Sequence, residues 1–90
     1  MARCRVKNPP SRTAGYDRNG KVWMNKKIPR GERGRVREHE RYERQQRCHG
    51  DSYKTAHKKA LKREHRGLSR HGIARHEGRV GAAVRGSRKH

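Results

Sequence analysis

The chain has 90 residues, with 27 lysines and arginines against 8 aspartates and glutamates, a formal net charge of +19. Leu, Ile, Val and Phe together make nine residues, far below the ~20% at which a strongly charged chain is expected to fold unaided. These values exclude a large enzyme core, and no segment resembles a membrane span or a signal peptide. We therefore expect a single small cytoplasmic domain without membrane contact, held in shape by a charged partner, a metal or an assembly.

The two cysteines, Cys4 and Cys48, are too few for a disulfide framework. In a chain without a secretion signal we expect them to be reduced, with a single bridge as the alternative. Together with His49 they could supply zinc ligands. The chain has no C-x-x-C pair, however, so the sequence does not indicate a closed structural zinc site.

The first elements in chain order are an arm and a hairpin. Residues 1–15 are basic and contain Pro9-Pro10, which predicts an extended arm. Asn19-Gly20 predicts a β-hairpin, because both residues tolerate positive φ, and residues 22–24 would form its second strand. Since a lone hairpin is marginal in water, we expect Trp23 to be the largest buried side chain, packed near Tyr53 and Leu61.

Two helices and a tail follow. Residues 34–48 have a helical composition, and Gly50 can end that helix. Asp51 or Ser52 can cap a second helix from about Tyr53 to Arg66, which would end at Gly67, so the pair predicts an antiparallel helical hairpin. The Gly-, Arg- and His-rich residues 68–90 leave a short helix open, with the last ten residues disordered unless bound.

The predicted fold is therefore α+β. A short β-hairpin packs on an antiparallel two-helix hairpin over residues 16–67, and basic arms at residues 1–15 and 68–90 flank this compact unit.

Histidines and glutamates occupy positions in both helices where apolar residues would normally lie. On the second helix Tyr53, Ala56, His57, Ala60, Leu61 and Glu64 have the spacing of one apolar stripe. On the first helix Val36, His39, Glu40 and Glu43 share one side in the same way. If the hairpin folds on these stripes, His39, Glu43, His57 and Glu64 converge.

The string His39-Glu40-Arg41-Tyr42-Glu43 is an H-E-x-x-E motif, which places a nitrogen and a carboxylate one helical turn apart. His39, Glu43 and His57 could ligate zinc or another divalent metal, with Glu40 as the catalytic base. Glu64 could be a fourth ligand or could orient His57. The alternative is a buried salt-bridge cluster without metal, in which Glu43 and Glu64 neutralise nearby basic side chains.

The region of residues 16–67 resembles small uncharacterised proteins of phages and proteobacteria. The shared features are a strand (Lys21-Val22-Trp23), the H-E-x-x-E helix and a Y-x-x-A-H-x-x-A-x-x-x-E helix from Tyr53 to Glu64. The resemblance implies that His39, Glu43, His57 and Glu64 form a shared cluster, and it implies no established activity. This chain differs in its much higher positive charge and its Gly-rich basic tail.

The charge predicts a nucleic-acid partner, RNA or DNA, bound mainly through the phosphate backbone with weak sequence preference. The candidate contacts are Arg3, Arg5, Lys7, Arg12, Lys26, Lys27, Arg30, Lys58, Lys59, Lys62, Arg63, Arg70, Arg75, Arg79 and Arg85. One alternative is a small metal-dependent, nuclease-like hydrolase that uses the His/Glu site. Another is a non-catalytic assembly or inhibitor protein, such as a virion component, that binds an acidic protein.

Overall fold

The asparagine–glycine turn joins two short antiparallel strands, β1 (Ala14–Tyr16) and β2 (Val22–Met24). In the computed structural model, which describes residues 4–90, the Gly20 N–H donates to the Asp17 carbonyl over 3.0 Å. Within the turn only Gly20 has a positive φ, of 90°, so Asn19 does not adopt the left-handed conformation that the sequence allowed it. The loop therefore ends on a single glycine in the left-handed conformation, as three-residue hairpin loops do.

The first helix, α1 (Arg30–Cys48), starts four residues before the predicted position. Pro29 precedes it with φ of −57°, and Glu32 lies in the first turn, where a carboxylate complements the helix dipole. Gly31 and Gly34 have low helix propensity, and for that reason the sequence suggested a later start.

The second helix, α2 (Tyr53–Glu64), confirms the predicted helical hairpin. Gly50 ends the first helix region with φ of 109°, and the Ser52 hydroxyl accepts the Thr55 N–H over 3.2 Å. Gly67 follows with φ of 79°. These residues reverse the chain and bring α2 against α1.

The third helix, α3 (Arg70–Val84), occupies most of the predicted basic tail. Ser69 caps it by accepting the Gly72 N–H over 3.0 Å. The helix packs against the hairpin and α1 through an apolar cluster. The members of this apolar cluster are Ala14, Ile28, Val36, Val80 and Val84, and Met24 packs against the cluster.

The described parts of the flanking segments are attached to the fold, so the predicted free arms are not confirmed. Ser11 and His90 exchange two backbone hydrogen bonds of 3.0 and 2.7 Å, and the last ten residues are therefore not a loose end. At the other end Arg47 donates to the Lys7 carbonyl over 2.6 Å. Residues 1–3, including the candidate contact Arg3, lie outside the described residues.

The expectation of reduced thiols is wrong for this structure, in which a disulfide joins Cys4 and Cys48. Their Cα atoms are 5.7 Å apart, within the usual span of a disulfide. The bridge fixes the N-terminal segment to the last residue of α1, and Arg44 reinforces it by donating to the Cys4 carbonyl over 3.0 Å.

The prediction that Trp23 is the largest buried side chain is also wrong. Tyr16, at 1% exposure, is the large aromatic of the interior, whereas Trp23 is half-buried and its ring contacts His90. Successive strand side chains point to opposite faces. The register sends Ala14, Tyr16 and Met24 inward and leaves Trp23 on the outer face.

Candidate metal centre

The two helical stripes meet, and they bring His39 and Glu43 of α1 against His57 of α2. His39 and Glu43 are buried, at 5% and 1% exposure, while His57 is partly exposed. The helical spacing of i and i+4 places the two α1 side chains one turn apart on the face that α2 covers. The predicted convergence of these residues is therefore present in the fold.

Three potential ligand atoms form a tight triangle. His39 Nε2 lies 3.2 Å from Glu43 Oε1 and 3.2 Å from His57 Nδ1, and His57 Nδ1 lies 2.9 Å from Glu43 Oε1. Two atoms bound to one tetrahedral zinc at its usual bond lengths are about 3.3 Å apart. The spacing of the triangle is close to this value, so the three atoms can bind one ion together.

Hydrogen bonds satisfy two sides of this triangle. The ionised Glu43 can only accept, so both histidines can donate to its Oε1. The third side, between His39 Nε2 and His57 Nδ1, is then left without a hydrogen bond. A cation inside the triangle is attracted to all three lone pairs at once. These buried groups could therefore hold a metal ion.

Glu64 lies on the other side of the His39 ring, and its Oε1 approaches His39 Nδ1 to 2.7 Å. The ring N–H is poorly aligned with this oxygen, because Nδ1 makes no regular hydrogen bond despite its burial. Glu64 thus contacts neither His57 nor the Nε2 side of His39 and does not complete the triangle as a fourth ligand. Its position matches a carboxylate that orients a metal-binding histidine.

His76 of α3 extends the buried polar contacts. Its Nε2 lies 2.5 Å from Glu64 Oε2 and its Nδ1 3.2 Å from Glu32 Oε1. We use the name polar cluster for His39, Glu43, His57, Glu64 and His76. His76 is not among the site residues that the sequence predicts, although its spacing of four residues from Val80 and eight from Val84 marks it as part of the buried face of α3.

Tyr16 was likewise not selected as a site residue. Its hydroxyl donates to Glu43 Oε2 over 2.5 Å and accepts from Arg47 over 3.0 Å. These bonds leave Glu43 Oε1 to face the two histidines. Tyr16 therefore fixes the direction of the carboxylate in the candidate site.

The ionisation of the cluster follows from these contacts. Burial alone would lower the pKa of His39, but its close contacts with the carboxylates of Glu43 and Glu64 and the charge of Glu40 raise it to about 10. Burial alone would raise the pKa of Glu43 and of Glu64, but hydrogen bonds from histidines, and from Tyr16 in the case of Glu43, lower both. Without metal the interior thus favours a charged histidine between ionised carboxylates.

Glu40, the predicted base, is 8% exposed, with its Oε2 3.7 Å from His39 Nε2. Burial raises the pKa of Glu40 to about 7, with the positive charge of His39 opposing the shift. A carboxyl group with this pKa beside the triangle can exchange a proton near neutral pH.

The triangle opens into a cavity of about 270 Å³. Its lining includes Glu40, Glu43, Glu64 and Glu77 but no described lysine or arginine. In a chain of net charge +19, this cavity is the place that favours cations. A second group close enough for metal binding lies beside the cavity and consists of Glu64, His76 and Glu77. In this group Glu64 and His76 already form a hydrogen bond with each other.

The predicted nucleic-acid contacts among residues 4–90 are on the surface. Arg63 is partly exposed. The other candidate contacts in the described residues are exposed: Arg5, Lys7, Arg12, Lys26, Lys27, Arg30, Lys58, Lys59, Lys62, Arg70, Arg75, Arg79 and Arg85. Three of them form ion pairs: Lys59 with Asp51 at 2.8 Å, Arg63 with Glu38 at 2.8 Å and Arg79 with Glu32 at 3.5 Å.

No family model, curated protein or solved structure matches the chain. None of the three helices in the described residues is long and apolar enough to cross a membrane.

Proposed function

We propose that the protein binds nucleic acid, RNA or DNA, mainly through the phosphate backbone. The supporting observation is the division of charge between interior and surface. None of the described lysines and arginines is buried, whereas Glu40, Glu43 and Glu64 are buried beside histidines. The surface is therefore more positive than the composition alone implies, as a phosphate partner requires.

A basic cavity between α1 and α2 can supply such contacts. It has a volume of about 230 Å³ and is lined by Tyr42, Lys59, Lys62, Arg63 and Arg66. The Arg63 guanidinium lies 4.5 Å from the centre of the Tyr42 ring. Lysine and arginine side chains around an aromatic ring can hold a phosphate and pack against the adjoining sugar or base.

The test is the salt dependence of binding to a labelled oligonucleotide, measured by fluorescence anisotropy. If about five phosphates are contacted, the slope of log K against log salt is roughly −3.5 to −4.5. The double substitution Lys62→Gln/Arg66→Gln should make this slope shallower by about 2. The control Arg18→Gln/Lys21→Gln removes the same charge elsewhere and should leave the slope unchanged.

A salt-independent affinity would contradict the proposal, and equal effects of the two doubles would contradict the assignment to the basic cavity. An acidic protein partner is the competing outcome. A complex that survives nuclease treatment before size exclusion would favour it. Deletion of residues 68–90 is not a clean test, because α3 contributes Val80 and Val84 to the apolar cluster.

We propose further that the triangle binds a zinc ion. Two imidazoles and one carboxylate are a common zinc ligand set. Metal analysis of purified protein should find one zinc per chain, lost in His57→Ala. His71→Ala changes an exposed histidine of α3 and should retain the zinc. Zinc retained by His57→Ala but lost by His76→Ala would move the ion to the second group.

A metal-dependent hydrolase is the second candidate, favoured by the opening of the triangle into the cavity that Glu40 also lines. Zinc with two histidines and one glutamate supplies a polarised water at neutral pH. Glu40 would accept the proton of that water. The carboxylate-rich lining repels a phosphodiester and favours a neutral or cationic substrate such as a peptide amide, so this candidate is not tied to nucleic-acid binding.

The hydrolase is tested with zinc-loaded protein on fluorescent peptides and on single-stranded RNA in parallel. Cleavage of peptides that is lost in Glu40→Gln, while zinc content stays unchanged, is the expected result. Equal activity of Glu40→Gln would exclude Glu40 as the base. Zinc binding without cleavage of either substrate would leave the metal a structural role.

A further inference from the structure

Trp23 is the chain's only tryptophan and takes no part in the apolar cluster. It lies at the centre of β2, directly across from Gly15. Gly15 has no side chain to pack on the tryptophan, and a Cβ there would lie 2.2 Å from the Asn8 side chain. The outer face of the hairpin thus presents a large aromatic ring without a cross-strand partner.

The ring forms one wall of a groove of about 400 Å³. The rim carries three basic side chains, Lys26, Lys27 and Arg88, and His90 closes the end with its ring 5.1 Å from that of Trp23. Among the described residues no aspartate or glutamate lines the groove, and none of the ion pairs involves these three basic residues. The groove therefore combines one aromatic wall with positive charge that no aspartate or glutamate side chain neutralises.

The walls of the groove are held together by specific bonds. The Asn25 side chain donates to the Ser87 hydroxyl over 3.0 Å and to the Arg12 carbonyl over 2.9 Å. The backbone pair between Ser11 and His90 fixes the last residue of the same wall. The hairpin and the chain after α3 are thus joined by hydrogen bonds, and the groove exists before any ligand enters.

We propose that this groove binds an unpaired base of a single-stranded nucleic acid, stacked on Trp23, with the adjoining phosphates on Lys26, Lys27 and Arg88. An aromatic ring bordered by cations is the arrangement by which proteins hold single strands without reading their sequence. The basic rim disfavours an apolar peptide, and a ligand of phosphate alone would leave the ring unused. The inference rests on the proposed nucleic-acid binding and adds a preference for single strands.

Because Trp23 is the only tryptophan, its fluorescence reports on this groove alone. The probes are a short unlabelled oligothymidylate, an oligouridylate, an abasic strand of equal length and a duplex. Both single strands with bases should quench the fluorescence. The abasic strand should bind through its phosphates without quenching, and the duplex should quench less than the single strands.

Trp23→Ala should weaken binding of the oligothymidylate about 5- to 150-fold. Its salt slope should stay unchanged, because stacking releases no counterions. Lys26→Gln/Lys27→Gln should instead make the slope shallower. The thermal transition of Trp23→Ala should stay close to that of the unaltered protein, because the ring lies outside the apolar cluster.

Oligothymidylate binding without quenching would overturn the inference while leaving the proposed function standing, and so would an unchanged affinity of Trp23→Ala. Equal quenching by the abasic strand would likewise overturn stacking. Failure of every probe to bind would instead refute the proposed function itself. If Trp23→Ala loses its thermal transition, Trp23→Phe replaces it in the binding test. The stacking inference then requires that Trp23→Phe bind the oligothymidylate more weakly than the unaltered protein does, but more tightly than the unaltered protein binds the abasic strand.

Discussion

Along one face of α1, Val36 belongs to the apolar cluster with the hairpin and α3, and His39 and Glu43, one and two turns further along the helix, belong to the polar cluster with α2. The apolar cluster consists of alanine, valine and isoleucine side chains, whose burial stabilises the fold at any pH. The polar cluster buries ionisable groups, which are costly in the interior unless each has a partner. Successive turns of one helix therefore depend on different conditions: packing at Val36, and protonation or metal at His39 and Glu43.

The largest expected effect is at Glu43, which contacts His39, His57 and Tyr16. In chelator-treated protein, Glu43→Ala leaves their buried polar groups unpaired and should lower the free energy of unfolding by about 3–5 kcal/mol. Glu38→Ala breaks only the partly exposed pair with Arg63 and should cost about 0.2–1 kcal/mol. Urea unfolding measures both, and equal losses would show that the polar cluster stabilises no more than a surface pair.

The pH dependence of stability separates the two clusters next. His39 has its pKa raised to about 10 from an ordinary value of 6.5, so its contribution is complete below pH 6.5 and is lost as the pH rises toward 10. The pKa values of Glu43 and Glu64 are lowered from 4.5, so their contribution is present above that pH and is lost as the pH falls below it. Glu40, with its pKa raised to about 7, adds a penalty that grows between pH 4.5 and 7.

Metal-free protein should therefore be most stable near pH 5–6 and lose a few kcal/mol toward pH 10, with a slope of up to about 1.4 kcal/mol per pH unit for each proton released. With zinc bound, the stability should instead increase toward alkaline pH, because coordination needs neutral histidine. Urea midpoints from acid to alkaline pH, with zinc and with chelator, provide the measurement. Two parallel profiles would contradict metal binding by the cluster.

Local sequence signals predicted the parts of this fold that neighbouring residues determine. Gly20, Gly50 and Ser52 mark the turns and the cap, because backbone conformation and capping act within a few residues. His39 and Glu43 could be selected because polar residues at apolar positions of a helix need partners. The stripe of α2 likewise identified His57 and Glu64, so most of the polar cluster could be predicted.

Contacts between distant segments could not be predicted in this way. A strand of three residues does not show which face is inward, so Trp23 was preferred over Tyr16 for the interior. The pairing of Cys4 with Cys48 depends on where the N-terminal segment returns to α1. His76 lies in a Gly-rich segment whose helix forms through packing on the apolar cluster rather than through propensity.

The disulfide is expected to have a smaller effect than the polar cluster. It closes a loop with a sequence separation of 44 residues, and its reduction should lower the free energy of unfolding by about 2–4 kcal/mol. Because no proton is involved once the thiols are blocked, this loss should be equal at acid and neutral pH, unlike that of Glu43→Ala. Urea unfolding before and after reduction and alkylation tests it, with Cys4→Ser/Cys48→Ser as a control that reductant should not affect. Two titratable thiols in the unreduced protein would contradict the bridge.

The smallest effect is expected in the apolar cluster, at Ile28, which is 3% exposed. Ile28→Val removes one methylene group and should cost about 0.5–1.5 kcal/mol, since the cavity it leaves is small. The decisive feature is that this cost should be the same at pH 5 and pH 9 and with or without zinc, because no ionisable group takes part in the contact. The same urea series used for Glu43→Ala measures it. A cost that changes with pH or zinc would mean that the apolar and polar clusters are coupled, and the packing of α3 would then depend on the ionisation of the polar cluster through His76.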